Sequence, residues 1–333
     1  MTKAAEPIED MRADVLPPAS PATAAALQEA CAAAAAIHSA RELGVIARIS
    51  EAPADPSAVA ADCGLTQQGA AALLSALAGL DLLKLGGDGR FRPAYSNLDQ
   101  LIELFRPWAS LSPTLRGQPR PANAATIAGA ECLYPSLVSQ LGTLFRPSAE
   151  QAAKLLARPG LRILDIGAGA APWSLAIATR EPTSTVRAVE LRAVMRSTRT
   201  AVRTAGLMDR YEFVEGSAFE VDWGEPATYD LALIANICHL FDENTNLQLL
   251  RRVADALQPA GSLAIIDILP TERGDGPRPA VLYALGLVLR TSSGQIYPYS
   301  TFRRWLGQEG FENPCPHELP GPFPFTLITA TRR

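Results

Sequence analysis

Residues 161–172 read LRILDIGAGAAP, an apolar run that ends in Asp165 and turns at Gly167 and Gly169. The segment 173–179 that follows has a helix-like pattern. A strand, a glycine turn and a helix in this order build a ligand site at the carboxyl end of a strand in an open α/β sheet. Glycine permits a sharp turn and lets the backbone come close to a bound molecule. We therefore expect a ligand to lie against this turn.

Two classes of ligand compete for such a turn, and a turn without a ligand is the third possibility. A dinucleotide site uses the pattern G-x-G-x-x-G, but Pro172 occupies its third glycine position here, so the close helix–strand packing that this glycine permits is lost. The pattern apolar strand-Asp-x-Gly-x-Gly, which begins with Asp165, resembles motif I of the class I S-adenosylmethionine (SAM)-dependent methyltransferases. Ala171 stands where that family usually has a third glycine. The resemblance implies SAM as the cofactor, with Asp165, Gly167 and Gly169 at its amino-acid end.

Strands and helices alternate after residue 161, which predicts a parallel sheet with helices on both faces. The five predicted parallel strands are 161–166, 184–190, 211–215, 229–235 and 262–268. Predicted helices begin near residues 173, 193, 243, 279 and 300. Two further strands, 311–316 and 325–331, are expected to close the sheet as an antiparallel pair. The expected fold class is α/β, and the resemblance implies a Rossmann-like seven-stranded methyltransferase sheet as a SAM-binding catalytic domain over 159–333.

Polar residues follow the predicted strands. Glu190 ends the second strand, where a carboxylate can accept hydrogen bonds from both hydroxyls of a ribose. Leu191 and Phe219 can pack on an adenine ring. Ser217 offers a weaker, uncharged acceptor where the family often has an Asp. The predicted cofactor contacts are Asp165, Gly167, Gly169, Glu190, Leu191, Ser217, Ala218, Phe219 and Asn236.

The stretch 229–243 reads YDLALIANICHLFDE and places a histidine after the fourth strand. It resembles the two-domain small-molecule O-methyltransferases, of the plant caffeate type and of bacterial natural-product pathways, in which a His at this point is the general base. His239 matches that base and 242–243 match an acidic pair, whereas Leu-Phe at 240–241 replaces the usual Asp-Trp. A phenol of pKa near 10 is mostly protonated at pH 7, so a neutral imidazole can remove its proton during attack. A hydrogen-bonded structural histidine is the alternative. The other two histidines lie in an Ala-rich predicted helix and in the last Pro-rich loop: His38 and His317.

Two segments, 130–145 and 279–300, are expected to wall an acceptor pocket. Their candidate acceptor contacts are Tyr134, Tyr283, Arg290 and Tyr297. Aromatic side chains suit a flat ring, so we expect a small aromatic acceptor, although each of these side chains is equally compatible with core packing. The expected reaction is SAM-dependent methyl transfer to a hydroxyl. The alternatives are C- or N-methylation on the same fold, a SAM-binding enzyme with a non-methylating activity, and a ligand-responsive winged-helix DNA-binding regulator.

The region before the sheet divides into three parts. Residues 1–22 are rich in Pro, Ala and acidic side chains, which predicts a loose tail. Residues 23–100 predict a winged-helix-like dimerisation domain, and 101–158 predict a helical linker that walls the pocket. The helix that would enter DNA, 67–80, contains no Lys or Arg and so lacks phosphate-neutralising charge. We therefore expect a homodimer that does not bind nucleic acid.

Composition limits the class of protein. The 333 residues are 48% hydrophobic and 19% charged, and their net charge of −4 provides no general attraction to nucleic acid or anionic membranes. Five scattered cysteines without a C-x-x-C pair indicate reduced thiols and no metal site. The chain has no apolar run near the ~18 residues of a membrane span and no signal-peptide pattern. We expect a cytoplasmic protein without a membrane or metal partner.

Overall fold

The computed structural model describes residues 20–120 and 122–333. The chain separates into two compact units, with the boundary after Ile102. The predicted loose tail over 1–22 lies outside the described residues, except for its last three positions, where the first helix begins at Pro21. No helix in the described part of the chain combines the length and the apolar character that crossing a membrane requires.

The first unit consists of helices and one short hairpin. Its elements are α1 (Pro21–Glu42), α2 (Val45–Glu51), α3 (Pro56–Cys63), α4 (Gln67–Gly79), β1 (Leu83–Leu85), β2 (Phe91–Pro93) and α5 (Leu98–Glu103). Gly64 is left-handed and ends α3, and the Thr66 hydroxyl begins α4 by accepting the Gly69 amide proton at 3.0 Å. These local signals produce the predicted order of helix, turn, helix and hairpin. A dimerisation role for this unit stays a prediction.

The second unit begins with helices, as the sequence predicts for 101–158. They are α6 (Leu111–Leu115), α7 (Ile127–Leu133) and α8 (Val138–Leu156). The Thr126 hydroxyl caps α7 by accepting the Gly129 amide proton at 3.2 Å. Small and apolar side chains near the end of α8, such as Ala149 and Leu156, are buried against the core of the sheet.

Seven strands form the sheet of the second unit. They are β3 (Arg162–Ile166), β4 (Thr185–Glu190), β5 (Tyr211–Glu215), β6 (Tyr229–Ala235), β7 (Leu257–Ile268), β8 (Phe311–Glu318) and β9 (Phe325–Arg332). Their order is β5-β4-β3-β6-β7-β9-β8. The pairs from β5 to β7 are parallel, whereas β9 is antiparallel to both of its neighbours. This arrangement confirms the predicted α/β fold class and its closing antiparallel pair.

Two strands are longer than the sequence predicts. β7 begins at Leu257 rather than at residue 262, because Leu257 pairs with Tyr229 ahead of a register shift. β8 continues to Glu318 and includes His317, so the assignment of this histidine to a loop is wrong. The prolines that suggested a loop are compatible with β8 because it is an edge strand of the described sheet, where a missing N–H can face solvent.

The remaining helices cover both faces of the sheet. They are α9 (Pro172–Arg180), α10 (Arg192–Thr204), α11 (Glu243–Ala256), α12 (Arg278–Val288) and α13 (Tyr299–Gln308). Successive residues of β3 point to opposite faces, so Ile163 joins the core that contains Trp173, and Leu164 joins the core that contains Trp305. The chain order of the strands reverses between β3 and β6. The carboxyl ends of the strands at such a point form the crevice in which open α/β sheets bind ligands.

Candidate active site

A cavity opens at this crevice. The glycine turn after β3, the ends of β4 and β6, the loop after β5, α7 and the start of α8 all contribute to its lining. The predicted site residues that line it are Gly167, Gly169, Glu190, Leu191, Ser217, Ala218, Phe219, Asn236 and Tyr134. The structure therefore brings together all of the predicted cofactor contacts except Asp165.

The glycine turn adopts a backbone conformation that side chains disfavour. Gly167 has a φ of 66° and Gly169 a φ of 59°, both in the left-handed region. A Cβ atom at residue 167 would also collide with the side chain of Ile237. Ala171 is left-handed as well, with a φ of 54°, at a conformational cost of about 1–2 kcal/mol for a residue with a Cβ. The backbone thus keeps the form that a third glycine would favour, although the side chain is alanine.

Glu190 connects the end of β4 to the glycine turn. Its Oε2 accepts the Gly169 amide proton at 2.6 Å, and its Oε1 accepts the Leu191 amide proton at 2.7 Å. Burial raises the pKa of Glu190 to about 7; the two backbone hydrogen bonds oppose this rise, and the nearby Asp165 adds to it. The carboxylate lines the cavity and remains an acceptor for ligand hydroxyls.

Asp165 lies beneath the turn instead of facing the cavity. Its carboxylate accepts a hydrogen bond from the Ser174 hydroxyl on α9, and Ser174 in turn accepts one from the Tyr211 hydroxyl at 3.1 Å. Asp165 is 2% exposed, and burial raises its pKa to about 6 against the effect of the Ser174 hydrogen bond. Asp165 does not line the cavity, and Ser174 in the first turn of α9 binds one of its carboxylate oxygens. Its contact with a ligand ammonium group stays a prediction, and in the structure Asp165 anchors α9 to the end of β3.

The loop after β5 forms an apolar part of the cavity wall. The Ser217 hydroxyl accepts the Phe219 amide proton at 3.3 Å, which turns the chain toward the cavity. The Phe219 ring meets the Phe241 ring edge-on at a centroid distance of 5.2 Å. With Leu191 on the other strand end, these side chains provide surface on which a flat heterocycle can pack.

His239 lies just beyond β6 in a buried pair with a carboxylate that the sequence analysis missed. Its Nδ1 is 2.6 Å from Asp267 Oδ1, and its backbone N–H donates to Asp267 Oδ2 at 3.2 Å. Asp267 is 2% exposed and near the end of β7, the strand next to β6. The signal that could have found it is an acid near the carboxyl end of an otherwise apolar strand. An ionised carboxylate at Nδ1 orients the imidazole and stabilises its protonated form.

Tyr283 and Arg290 lie on the other side of the imidazole. The Tyr283 hydroxyl is 2.9 Å from His239 Nε2. The Arg290 guanidinium carbon lies 4.7 Å above the Tyr283 ring, and Arg290 Nε is buried without a hydrogen-bond partner among the described residues. His239, Tyr283 and Arg290 do not line the cavity directly. Tyr134 does line it; burial raises the pKa of Tyr134, and the Arg290 charge opposes this rise.

Tyr297 belongs to the hydrophobic core and does not line the cavity. It is 6% exposed and packs edge-on against Trp305 at a centroid distance of 4.6 Å. Its hydroxyl donates to the Phe241 carbonyl at 2.7 Å. An aromatic pattern alone does not distinguish a ligand wall from a core, and here the residue packs beneath the sheet with α13.

The cavity combines groups that suit the adenosine part of SAM, the cofactor that the sequence resemblance implies. A carboxylate at the end of β4 matches a pair of ribose hydroxyls, and apolar side chains beside it match an adenine ring. The left-handed glycine turn lets a ligand approach the backbone without meeting a Cβ atom. No cluster of metal-ligating side chains was found within residues 20–120 and 122–333.

Comparison with known proteins identifies a common family. Residues 144–312 match the family model of an O-methyltransferase domain. The chain is 29% identical over 175 residues to the L-tyrosine C(3)-methyltransferase of Streptomyces lavendulae, which covers 51% of this chain and 47% of that protein. It is 26% identical over 149 residues to the 3-hydroxy-5-methyl-1-naphthoate 3-O-methyltransferase of Streptomyces sahachiroi, over 45% of this chain and 42% of that protein. The matched part thus spans about half the length of each of these two relatives.

The fold is similar to that of human N-acetylserotonin methyltransferase, whose structure was solved in complex with SAM. The two chains superpose with a TM-score of 0.70 at 21% identity, over 94% of this chain and 98% of the human one. At this level of identity the likeness concerns the fold.

Proposed function

This chain belongs to the O-methyltransferase domain family, and on that premise we propose that it transfers the methyl group of SAM to a small aromatic acceptor, at a hydroxyl oxygen. The observation that carries the proposal is the buried His239–Asp267 pair, which lies beside a cavity with a carboxylate and a left-handed glycine turn. SAM supplies a methyl group that its sulfonium already activates. The protein must then hold the acceptor in line and manage one proton.

The residues at the ends of β3, β4 and β5 would hold the cofactor. Glu190 accepts hydrogen bonds from the ribose hydroxyls, and Leu191 and Phe219 pack on the adenine. Ser217 and the backbone amides of the glycine turn are the nearby polar groups for its remaining atoms. Asp165 supports this site from below, through Ser174 and α9.

His239 would receive the proton that the acceptor hydroxyl loses. The Asp267 carboxylate keeps the neutral imidazole protonated at Nδ1, so Nε2 is the basic atom. Once the imidazole is protonated, the same carboxylate stabilises the positive charge. Assistance of this kind contributes about 10²–10⁴-fold in rate.

Methylation at carbon is the second candidate reaction. It is supported by the similarity to an L-tyrosine C(3)-methyltransferase. A ring carbon beside a phenol becomes nucleophilic when the phenol loses its proton, so the same base serves either outcome. The position of the added methyl group in the product separates the two reactions.

We also propose a cytoplasmic homodimer that does not bind nucleic acid. All five cysteines are unpaired, as expected in a reducing compartment. Helix α4 carries no Lys or Arg with which to neutralise phosphates. The first unit exposes most of α1, which is available for a second copy of the chain.

Calorimetry with SAM and with its demethylated product, followed by mass spectrometry of an acceptor panel, tests the activity. The panel is L-tyrosine, N-acetylserotonin and 3-hydroxy-5-methyl-1-naphthoate, chosen from the names of the similar proteins. We expect both nucleosides to bind and at least one acceptor to gain the mass of one CH₂ group.

Two histidine variants make the test specific. His239→Ala should lower turnover by about 10²-fold or more and leave SAM affinity unchanged. His38→Ala, at an exposed histidine in the first unit, is the matched control and should behave as the wild type. Equal loss of SAM affinity and turnover in His239→Ala would assign this histidine to structure, and a wild-type protein that binds neither nucleoside would refute the proposed function.

A further inference from the structure

Both ring nitrogens of His239 are engaged, so the imidazole presents no free base to the cavity. Nδ1 lies 2.6 Å from Asp267 Oδ1, and Nε2 lies 2.9 Å from the Tyr283 hydroxyl oxygen. His239 is 3% exposed and does not line the cavity. An acceptor molecule in the cavity therefore cannot reach Nε2 while Tyr283 keeps this position.

The hydrogen-bond donors along this chain of groups can be assigned from chemistry. An ionised carboxylate only accepts, so Nδ1 of the neutral imidazole carries the proton and Nε2 carries the lone pair. The Tyr283 hydroxyl must then donate to Nε2. Its oxygen keeps lone-pair capacity for a hydrogen bond from another group.

Tyr283 connects the buried pair to the cavity wall. Its side chain lies on α12 and is only partly buried, whereas His239 and Asp267 are buried almost completely. The Arg290 guanidinium lies over the Tyr283 ring, the Arg290 carbonyl accepts the Ala124 amide proton at 2.6 Å, and Ala124 lines the cavity. The phenol is therefore the outermost member of the series Asp267, His239, Tyr283.

We propose that Tyr283 relays the proton of the acceptor to His239, an inference that rests on the methyl transfer proposed above. The acceptor oxygen bonds to the methyl carbon while the carbon–sulfur bond breaks and leaves its electron pair on sulfur. The acceptor O–H proton moves to the Tyr283 oxygen, and the Tyr283 proton moves to His239 Nε2. The imidazolium that results is paired with the Asp267 carboxylate, and its proton later returns to solvent.

Arg290 supports this role for Tyr283. Its guanidinium carbon lies 4.7 Å above the phenol ring, and its Nε is buried with no partner among residues 20–120 and 122–333. A cation so placed stabilises the negative charge that develops on the phenol oxygen as the two protons move. Burial raises the pKa of Tyr283 and the Arg290 charge opposes that rise, in keeping with a phenol that stays protonated at rest.

The test compares Tyr283→Phe with Tyr229→Phe on the panel member that the wild type methylates fastest. Tyr229 is the matched control, because its buried hydroxyl also donates one hydrogen bond, to the Trp223 carbonyl, far from His239 in the fold. Tyr283→Phe should lower kcat about 10²-fold, within the range of acid–base assistance, with SAM Kd unchanged. Tyr229→Phe should retain wild-type kcat and Kd.

A measurement on the wild type alone complements the variants. The rate of methyl transfer is measured in mixtures of H₂O and D₂O. A plot of this rate against the deuterium fraction should be curved, because two protons move in the same step. A linear dependence would indicate one moving proton and would overturn the relay. This measurement remains decisive if Tyr283→Phe folds poorly.

The failure of the relay is distinguishable from the failure of the proposed function. A wild type that methylates the acceptor, together with a folded Tyr283→Phe variant of equal or higher kcat, overturns the relay alone. Tyr283 would then be a side chain that swings aside to admit the acceptor. A wild type that binds neither SAM nor its demethylated product removes the methyl transfer and the relay together.

Discussion

The proposed contact between the Glu190 carboxyl and the ribose hydroxyls links cofactor binding to protonation. Burial raises its pKa from 4.5 to about 7 in the free protein, so part of it carries a proton at neutral pH. Ribose hydroxyls that both donate to Glu190 require the ionised form. Binding therefore favours the carboxylate and releases the proton.

We expect SAM affinity to rise with pH through the raised pKa and then to level off. Below that pKa the affinity should fall toward about tenfold per pH unit, the limit for one linked proton. Calorimetry at one pH unit below and one pH unit above the pKa of Glu190 measures the affinity. Repeating it in two buffers of different ionisation enthalpy measures the proton release. Glu190→Gln should bind more weakly, by roughly 1–3 kcal/mol, and without this pH dependence. A wild-type SAM affinity that does not change with pH would contradict the proposed hydrogen bonds between Glu190 and the ribose.

The contribution of Asp267 to turnover can be measured separately from its contribution to folding. Asp267→Asn removes the charge that stabilises a protonated His239 and can impose the other tautomer by donating to Nδ1. We expect kcat to fall about 10²–10⁴-fold while SAM affinity and the melting temperature change little. Steady-state kinetics and calorimetry on the same preparation measure these effects. A variant that keeps its kcat would show that the carboxylate only supports the loop.

At the scale of elements, the turn between β3 and α9 contains an alanine whose side chain is favourably buried. The backbone conformation of this alanine is unfavourable for a residue with a Cβ atom. Ala171 is fully buried but left-handed, with a φ of 54°. Ala178, in the interior of α9, is equally buried in an ordinary helical conformation. The two alanines therefore differ mainly in backbone strain.

Replacing each alanine by glycine should separate these contributions. Ala178→Gly loses about 1 kcal/mol of helix propensity and a buried methyl group of about 0.8 kcal/mol. Ala171→Gly loses a similar methyl group and gains unfolded-chain entropy, but it relieves about 1–2 kcal/mol of strain. We expect Ala171→Gly to be nearly neutral and Ala178→Gly to destabilise by roughly 2 kcal/mol in denaturant unfolding. Equal losses would mean that the turn is not strained.

At the scale of the whole molecule, the exposed surface of α1 is a candidate interface for the proposed homodimer. It is 22 residues long, yet Ala40 is its one buried residue within the described chain, and Leu27 is 56% exposed. An isolated Ala-rich helix gains little from propensity alone and is usually stabilised by packing. In the proposed homodimer, a second copy of α1 would supply matching small side chains.

We therefore expect a mass of two chains of 35.4 kDa in light scattering. Leu27→Glu should shift the protein toward the monomer, because it places a charge in the expected apolar contact. Leu155→Glu, at a leucine in the second unit that is 51% exposed, is the control and should leave the mass unchanged. A wild type that is monomeric at micromolar concentration would contradict the dimer.

Much of the fold was predictable because its signals are local. The apolar runs predict strands over 211–215 and 229–235, and the strands of the structure have the same bounds. The glycine turn follows from the conformational freedom of glycine, which needs no tertiary context. The prolines of β8 suggested a loop because their effect depends on whether the strand lies at an edge, which no local pattern reveals.

The sequence by itself determined the order of strands and helices, the left-handed turn and the acid at the end of β4, since each depends on neighbours along the chain. Tertiary structure alone decided the partners of the buried polar groups. His239 meets Asp267 across 28 positions of sequence and Tyr283 across 44. Asp165 is occupied by Ser174, and Tyr297 is in the core. The physical reason is that a buried donor or acceptor must find its partner among whichever groups the packed sheet and helices bring within about 3 Å.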